Sequence, residues 1–272
     1  MRRYWQAIVR RLDRPGRRAL LVLPGSIWVS ARYRAPAVVY WRDGAWIHRY
    51  RGAKIPHAEL GRAAPPSVLT AEASELFLHE YTPRAGDTVF DLGAGIGAEA
   101  LLFSRLVGNF GRVVSAEAHP RTFERLASLC EVNGLTNVTP LQVAVADSDG
   151  TVMLSDTDQY LQNTLLGGDG IEVPAKRIDT IASELGISKI DLLKMNIEGA
   201  ERAALQGTGD LLAATRHVCI SCHDFLADGG GPEELRTKGF VIQFLTDHGF
   251  DVTTRDEAAE PWTRDYVYGA RT

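Results

Sequence analysis

Thr88-Val89-Phe90-Asp91-Leu92-Gly93-Ala94-Gly95-Ile96-Gly97 is the stretch whose reading decides the fold. An apolar strand runs straight into three alternating glycines, and Ala98 to Val107 then has the make-up of a helix. A turn that follows a buried strand and brings backbone N–H groups close to a ligand needs residues without bulk. The spacing is G-x-G-x-G with Asp91 two residues ahead of the first glycine, which differs from the dinucleotide fingerprint G-x-G-x-x-G.

Downstream, strands and helices alternate, the pattern of a parallel sheet covered on both faces. Arg112 to Ala116, Val138 to Val145, Ile190 to Met195 and His217 to Cys222 read as strands. Arg121 to Val132, closed by Asn133-Gly134, reads as a helix, as do Ile178 to Leu185, Ala200 to Leu205 and Thr237 to His248. Phe250-Asp251-Val252 and Tyr266-Val267-Tyr268 suit a final antiparallel pair at the sheet edge. Residues 147–175 break the alternation, with a turn at Asp149-Gly150 and a loop at Gly167-Gly168-Asp169-Gly170, and predict a two-stranded insertion or a substrate lid. Upstream, Ala63-Ala64-Pro65-Pro66 marks a boundary and Thr70 reads as the cap of a helix reaching about Tyr81. The expected architecture is α/β: a doubly wound, mostly parallel, seven-stranded Rossmann-like sheet. Residues 65–272 form that domain, and residues 1–64 are a helix and β-hairpin appendage.

Charge divides the chain at nearly the same place. Residues 1–54 hold 13 Lys/Arg against 2 Asp/Glu, a balance of +11, and the remainder holds 17 against 32, a balance of −15. Between the arginines of residues 2–18, Trp5, Ile8, Val9 and Leu12 recur at helical spacing until Pro15-Gly16. Such a basic amphipathic helix can pack on its own domain, join a second subunit, or lie on an anionic membrane surface. Val38 to Ile47 reads as a β-hairpin turning at Asp43-Gly44, its aromatics packing residues before they are a sugar platform. Ala19 to Val29, after Arg17-Arg18, has the flavour of a signal-peptide core. Pro24-Gly25 interrupt it and Arg32 and Arg34 follow, so export is not expected. No run of about 18 apolar residues is present, which excludes a spanning helix on length. Three cysteines, Cys130, Cys219 and Cys222, fit a reducing compartment. The expected location is cytoplasmic, with peripheral contact at the inner face of the membrane as an option.

In a doubly wound sheet, ligands sit outside the carboxyl ends of the strands. Asp91 closes the first strand, Glu117 the second, Asn196 and Glu198 follow the fourth, and His223 follows the fifth. Glu117 comes 20 residues after Gly97, where an acidic side chain can accept both ribose hydroxyls. Asp91 either orders the glycine loop or sits near the amino-acid part of a cofactor.

Gly86 to Gly97 resembles the first motif of FkbM-type methyltransferases that use S-adenosylmethionine (SAM). So does Val132-Asn133-Gly134-Leu135, and so does Lys194-Met195-Asn196-Ile197-Glu198-Gly199-Ala200-Glu201, preceded by Arg177-Ile178-Asp179-Thr180 and Lys189-Ile190-Asp191. The resemblance covers about residues 70–225. It implies SAM as cofactor, held by Asp91, Gly93, Ala94, Gly95, Gly97, Glu117 and Ala118. It also implies Glu198 and His223 facing an acceptor hydroxyl on a sugar, glycolipid or polyketide. Asn196 stands where the family usually has Asp. A neutral amide can orient a hydroxyl but cannot take a proton, and it is a poor ligand for a hard cation, so no metal is expected.

A hydroxyl acceptor benefits from a base as its C–O bond forms, and His223 or Glu198 is the candidate, with Asn196 beside them. Methylation of RNA through the basic head is an alternative, opposed by the acidic body and by the lack of an Asn-Pro-Pro-aromatic motif; nucleic acid is not the expected partner. A non-catalytic adaptor is the other. Cys219-Ile220-Ser221-Cys222-His223 also spells the haem attachment pattern C-x-x-C-H, but in an apolar strand its cysteines read as buried packing residues.

Overall fold

A computed structural model of the chain describes residues 2–155 and 170–271. Two units are distinguished, Met1–Glu72 with Glu131–Gly134, and Ala73–Cys130 with Leu135–Thr272.

The first unit opens with helices α1 (Arg2–Leu12) and α2 (Ala19–Tyr33), followed by strands β1 (Val38–Arg42), β2 (Ala45–Tyr50) and β3 (Ala53–His57) in one antiparallel sheet. The spacing that predicted α1 brings Trp5 into a stack with Trp28 of α2, centroids 5.4 Å apart. Pro24-Gly25 do not interrupt α2, contrary to the expectation from sequence. Gly25 lies so close to Val39 and Leu60 that an added Cβ would sit 3.0–3.3 Å from their side chains, so packing selects the glycine and outweighs its low propensity. The hairpin turns at Asp43 and Gly44, φ 46° and 80°, the pair of left-handed residues that a two-residue turn requires. Trp46 is fully buried, donates to Asp13 at 3.0 Å, and meets Trp41 edge-on, so these aromatics serve packing. No helix among the described residues is long and apolar enough to cross a membrane.

Helix α3 (Pro66–Leu76) starts at the proline rather than being capped by Thr70, because proline is pre-set for a first helical turn. It stops short of Tyr81 because its last carbonyls are taken elsewhere: Tyr268 donates to Leu76 at 2.7 Å and Arg255 to Glu75 at 2.8 Å. The chain continues with β4 (Thr88–Leu92), α4 (Ala98–Val107), β5 (Arg112–Ala116), α5 (Pro120–Asn133), β6 (Val138–Leu141) and β7 (Ala144–Val145). After β8 (Gly150–Ser155) and β9 (Gly170–Lys176) come α6 (Ile178–Glu184), β10 (Ile190–Met195), α7 (Glu201–Gln206), β11 (Thr215–Ser221), α8 (Asp224–Asp228), α9 (Lys238–Asp247), β12 (Asp251–Thr254) and β13 (Tyr266–Ala270).

Seven strands form the central sheet in the order β12-β13-β11-β10-β4-β5-β6, all running the same way except β13, which pairs antiparallel with β11 and with β12 at the expected edge. The strand expected over 138–145 is two. The carbonyl of Leu141 accepts from the Glu117 N–H at 3.0 Å at the end of β6, and three residues on, at Ala144, β7 leaves to pair with β9. β9 also pairs antiparallel with β8, giving the two-stranded insertion read from the sequence; Gly167 to Asp169 lie outside the described residues.

Alternation along each strand divides the core. Phe90, Leu92, Val114, Leu193, Met195, Val218 and Ile220 face one side with α6, α7 and α9. Val89, Val113, Leu192 and Cys219 face the other with α4, α5 and Phe77. On this second face the register sets Lys194 of β10 opposite Asp91 of β4. Both are buried, at 1% and 0% side-chain exposure, and Nζ lies 2.8 Å from Oδ1. Nζ also donates to the carbonyl of Gly93 at 3.0 Å. Burial alone would lower the lysine's pKa, but Asp91 and Glu99 outweigh it and the net shift is upward. Removing one member of a buried pair leaves an uncompensated charge. Lys194→Met is therefore expected to lower unfolding free energy by about 3–5 kcal/mol in urea titrations, and Asp91→Leu added to it to recover much of the loss.

Candidate functional site

The order β5-β4-β10-β11 places four strand ends side by side, and the chain direction of the crossovers reverses between β4 and β10. At that point two loops touch. A Cβ on Gly93, φ 70°, would lie 1.9 Å from the carbonyl oxygen of Asn196. No side chain fits between them, which explains the first glycine. The N–H groups of Gly93 and Ala94 both donate to the carbonyl of Ala116 at 2.9 Å, tying the loop to the end of β5.

Glu117 follows β5 and folds back onto the loop. Its Oε2 accepts from the Gly95 N–H and its Oε1 from the His119 N–H, each at 2.9 Å. Burial pushes its pKa up, and those two donors pull it part of the way back. Each oxygen keeps a lone pair. Gly95, φ 55°, has nothing within 4 Å of where a Cβ would stand, so the loop's face is clear there. Gly97, φ 89°, ends the loop at the first turn of α4, the positive end of that helix's dipole, which also carries Glu99. The Asp91 carboxylate is buried against Lys194 and Ser115. Ala118 packs against Ala144, Ala146, Leu154 and their neighbours.

The other two strand ends carry a second cluster. Glu198 follows β10 with φ 52°, a left-handed conformation that an ordinary side chain adopts only where the surroundings enforce it. His223 follows β11 and is buried. Its Nε2 lies 3.4 Å from Glu198 Oε1 and its Nδ1 lies 3.3 Å from Glu201 Oε1. Glu201, fully buried in the first turn of α7, also accepts from the Gly199 N–H at 3.1 Å and from the Thr237 hydroxyl at 3.0 Å. Burial lowers the pKa of His223, but the Glu201 hydrogen bond and the Glu198 charge dominate, and the net shift is upward. Burial also raises Glu198, against the pull of His223. Asn196 contributes backbone here: its N–H donates to Leu92 at 3.0 Å and its carbonyl abuts Gly93.

Sequence reasoning placed Glu117, Glu198 and His223 at the strand ends, and the structure brings the last two together. It passed over Lys194 and Glu201. The first was detectable as a lone cation in a strand apolar on both faces, since lysine is almost never fully buried unless paired. Glu201 was visible only as an acidic residue in a helix's first turn. Arg177 and Asp179 spend their charges on each other at 2.6 and 2.8 Å, beside a second join in which Asp149 accepts from Arg177 N–H and Thr180. Cys219 and Cys222 are buried on opposite faces of the sheet, and burial pushes both thiols up.

Residues 91–252 match the model of the Methyltransferase FkbM domain. The chain is 27% identical over 258 residues to the 31-O-demethyl-FK506 methyltransferase FkbM of Streptomyces tacrolimicus, covering 81% of this chain and 94% of that one. It is 28% identical over 148 residues to the AMB antimetabolite synthetase AmbE of Pseudomonas aeruginosa, covering 53% of this chain and spanning only 7% of that protein's length. In fold it is similar to the methyltransferase FkbM of Methylobacillus flagellatus KT, with a TM-score of 0.50, 18% identity, and coverage of 75% of this chain and 50% of that one.

The loop geometry makes a contrast between neighbouring glycines. Gly95→Ala is expected to cost about 1–2 kcal/mol, the left-handed backbone term alone. Gly93→Ala should cost clearly more in the same urea titration, because the Asn196 carbonyl must also move.

Proposed function

Because the chain belongs to the FkbM family of methyltransferases, we propose that it methylates a hydroxyl group of a small molecule such as a sugar, glycolipid or polyketide. Its methyl donor is SAM. The observation that carries the hydroxyl reading is the buried Glu198–His223–Glu201 chain, a proton-accepting device that a more nucleophilic acceptor would not need. The relative from Streptomyces tacrolimicus, named for an O-demethyl compound, supports it.

SAM supplies an electrophilic methyl group on a sulfonium centre. The clear face at Gly95, the lone pairs of Glu117 and the first turn of α4 fit its ribose hydroxyls and amino-acid carboxylate. Glu198, the more exposed of the two carboxylates beside His223, meets the acceptor hydroxyl. The proton it takes passes to Nε2 of His223, while Glu201 holds Nδ1 and stabilises the imidazolium that forms. Phe225, half exposed and 5.7 Å from the His223 ring, offers an apolar face for an acceptor ring. Holding the hydroxyl in line with the methyl carbon supplies much of the remaining acceleration.

Only the neutral imidazole can accept a proton, and the neighbouring carboxylates raise the pKa of His223. The rate should therefore climb as pH rises through a value above about 6.5. Glu201→Gln removes a group that raises that pKa, so the limb should move to lower pH. His223→Gln should abolish the limb and reduce kcat by about 10²–10⁴-fold with SAM affinity unchanged. Transfer from SAM carrying a labelled methyl, read by carbon NMR, should give an O-methyl resonance. Label on nitrogen or carbon would overturn the hydroxyl reading.

A further inference from the structure

We infer that the N-terminal unit docks on an anionic bilayer surface through helix α2. Leu20, Leu23 and Ile27 are 63%, 71% and 63% exposed, and Pro24 and Ala31 are exposed beside them. Spacings of three and four residues put all five on one face of the helix. The opposite face is occupied: Leu21, Gly25 and Val29 are buried, with Gly25 seated against Val39 and Leu60. The helix is thus held by one side and presents large aliphatic side chains to solvent on the other. A contiguous exposed apolar patch with a polar rim marks an interaction surface.

The rim identifies the partner. Arg17 lies one turn before Leu20 and Arg34 one turn after Ala31, both exposed, and Arg10, Arg11 and Arg14 are exposed on the segment that leads into α2. No acidic residue occurs between Asp13 and Asp43. A second copy facing this stripe would set Arg17 and Arg34 against the same arginines, parallel or antiparallel, and like charges would oppose the contact. A nucleic acid would satisfy the arginines and leave the leucines in water. An anionic bilayer satisfies both, with arginines among the phosphates and Leu20, Leu23 and Ile27 at the headgroup boundary. At 15 residues the helix is about 22 Å long, short of a hydrocarbon core of about 30 Å, so it lies in the interface and does not span it.

Co-sedimentation of the full chain with vesicles tests this. The chain should pellet with phosphatidylcholine vesicles that contain phosphatidylglycerol, and about tenfold less with phosphatidylcholine alone or in high salt. Leu23→Glu with Ile27→Glu should weaken pelleting at least about tenfold without changing the thermal transition, because both residues are exposed. Arg17→Glu with Arg34→Glu should do so by removing the charge term, leaving the stripe intact. Absence of pelleting with anionic vesicles, or equal pelleting of the chain and the Leu23/Ile27 variant, would overturn the proposal. So would light scattering that shows a dimer in the wild type and a monomer in that variant, which would assign the stripe to a second copy.

Discussion

The buried pairing of Asp91 with Lys194 is the constraint on which the site depends. It sits at the centre of the sheet, in the ladder between β4 and β10, where the crossovers reverse and the ligand edge opens. Two charges are expensive there, and their attraction offsets the desolvation cost only while both are present. Lys194 also holds the carbonyl of Gly93, so the pair fixes the first residue of the glycine loop as well as the strand register. Register in turn decides that Asn196 meets Gly93 and that Glu198 lies one strand over from His223.

Two kinds of chemistry are kept apart along one edge. On the β4–β5 side, the glycine loop is tied to the end of β5 and to Glu117, whose two carboxylate oxygens accept from Gly95 and His119. On the β10–β11 side, a histidine is caught between two carboxylates of unequal exposure. Glu201 is buried and hydrogen-bonded to Gly199 and Thr237, and Glu198 is more open and left-handed, the arrangement on which the proposed division between a positioning and an acceptor-facing carboxylate rests. In the proposed reaction the first half holds the donor and the second takes the proton the acceptor loses.

Much of this could be read from the chain, for a physical reason. Val89, Val113, Leu192 and Val218 lie in strands buried on both faces, and a continuous apolar run fixes such strands without knowledge of their neighbours. A polar residue just after such a run has one place to go, which is why Glu117, Glu198 and His223 stood out. Features set by partners were not legible. The continuation of α2 through Pro24-Gly25 depends on Val39 and Leu60, and the end of α3 on Tyr268, far along the chain. The departure of β7 depends on pairing with β9. Glu201, at the start of α7, acquires meaning only from His223 beyond the end of β11.

The central claim is that the edge formed by the glycine loop and Glu117 is the cofactor site of this methyltransferase. Titration calorimetry of SAM into the wild-type chain and into Glu117→Ala tests it most directly. The account predicts one site per chain in the wild type and affinity reduced at least about tenfold in the variant, as expected when hydrogen bonds to a charged group are lost. Equal affinity in the two proteins, or no heat of binding in the wild type, would contradict it.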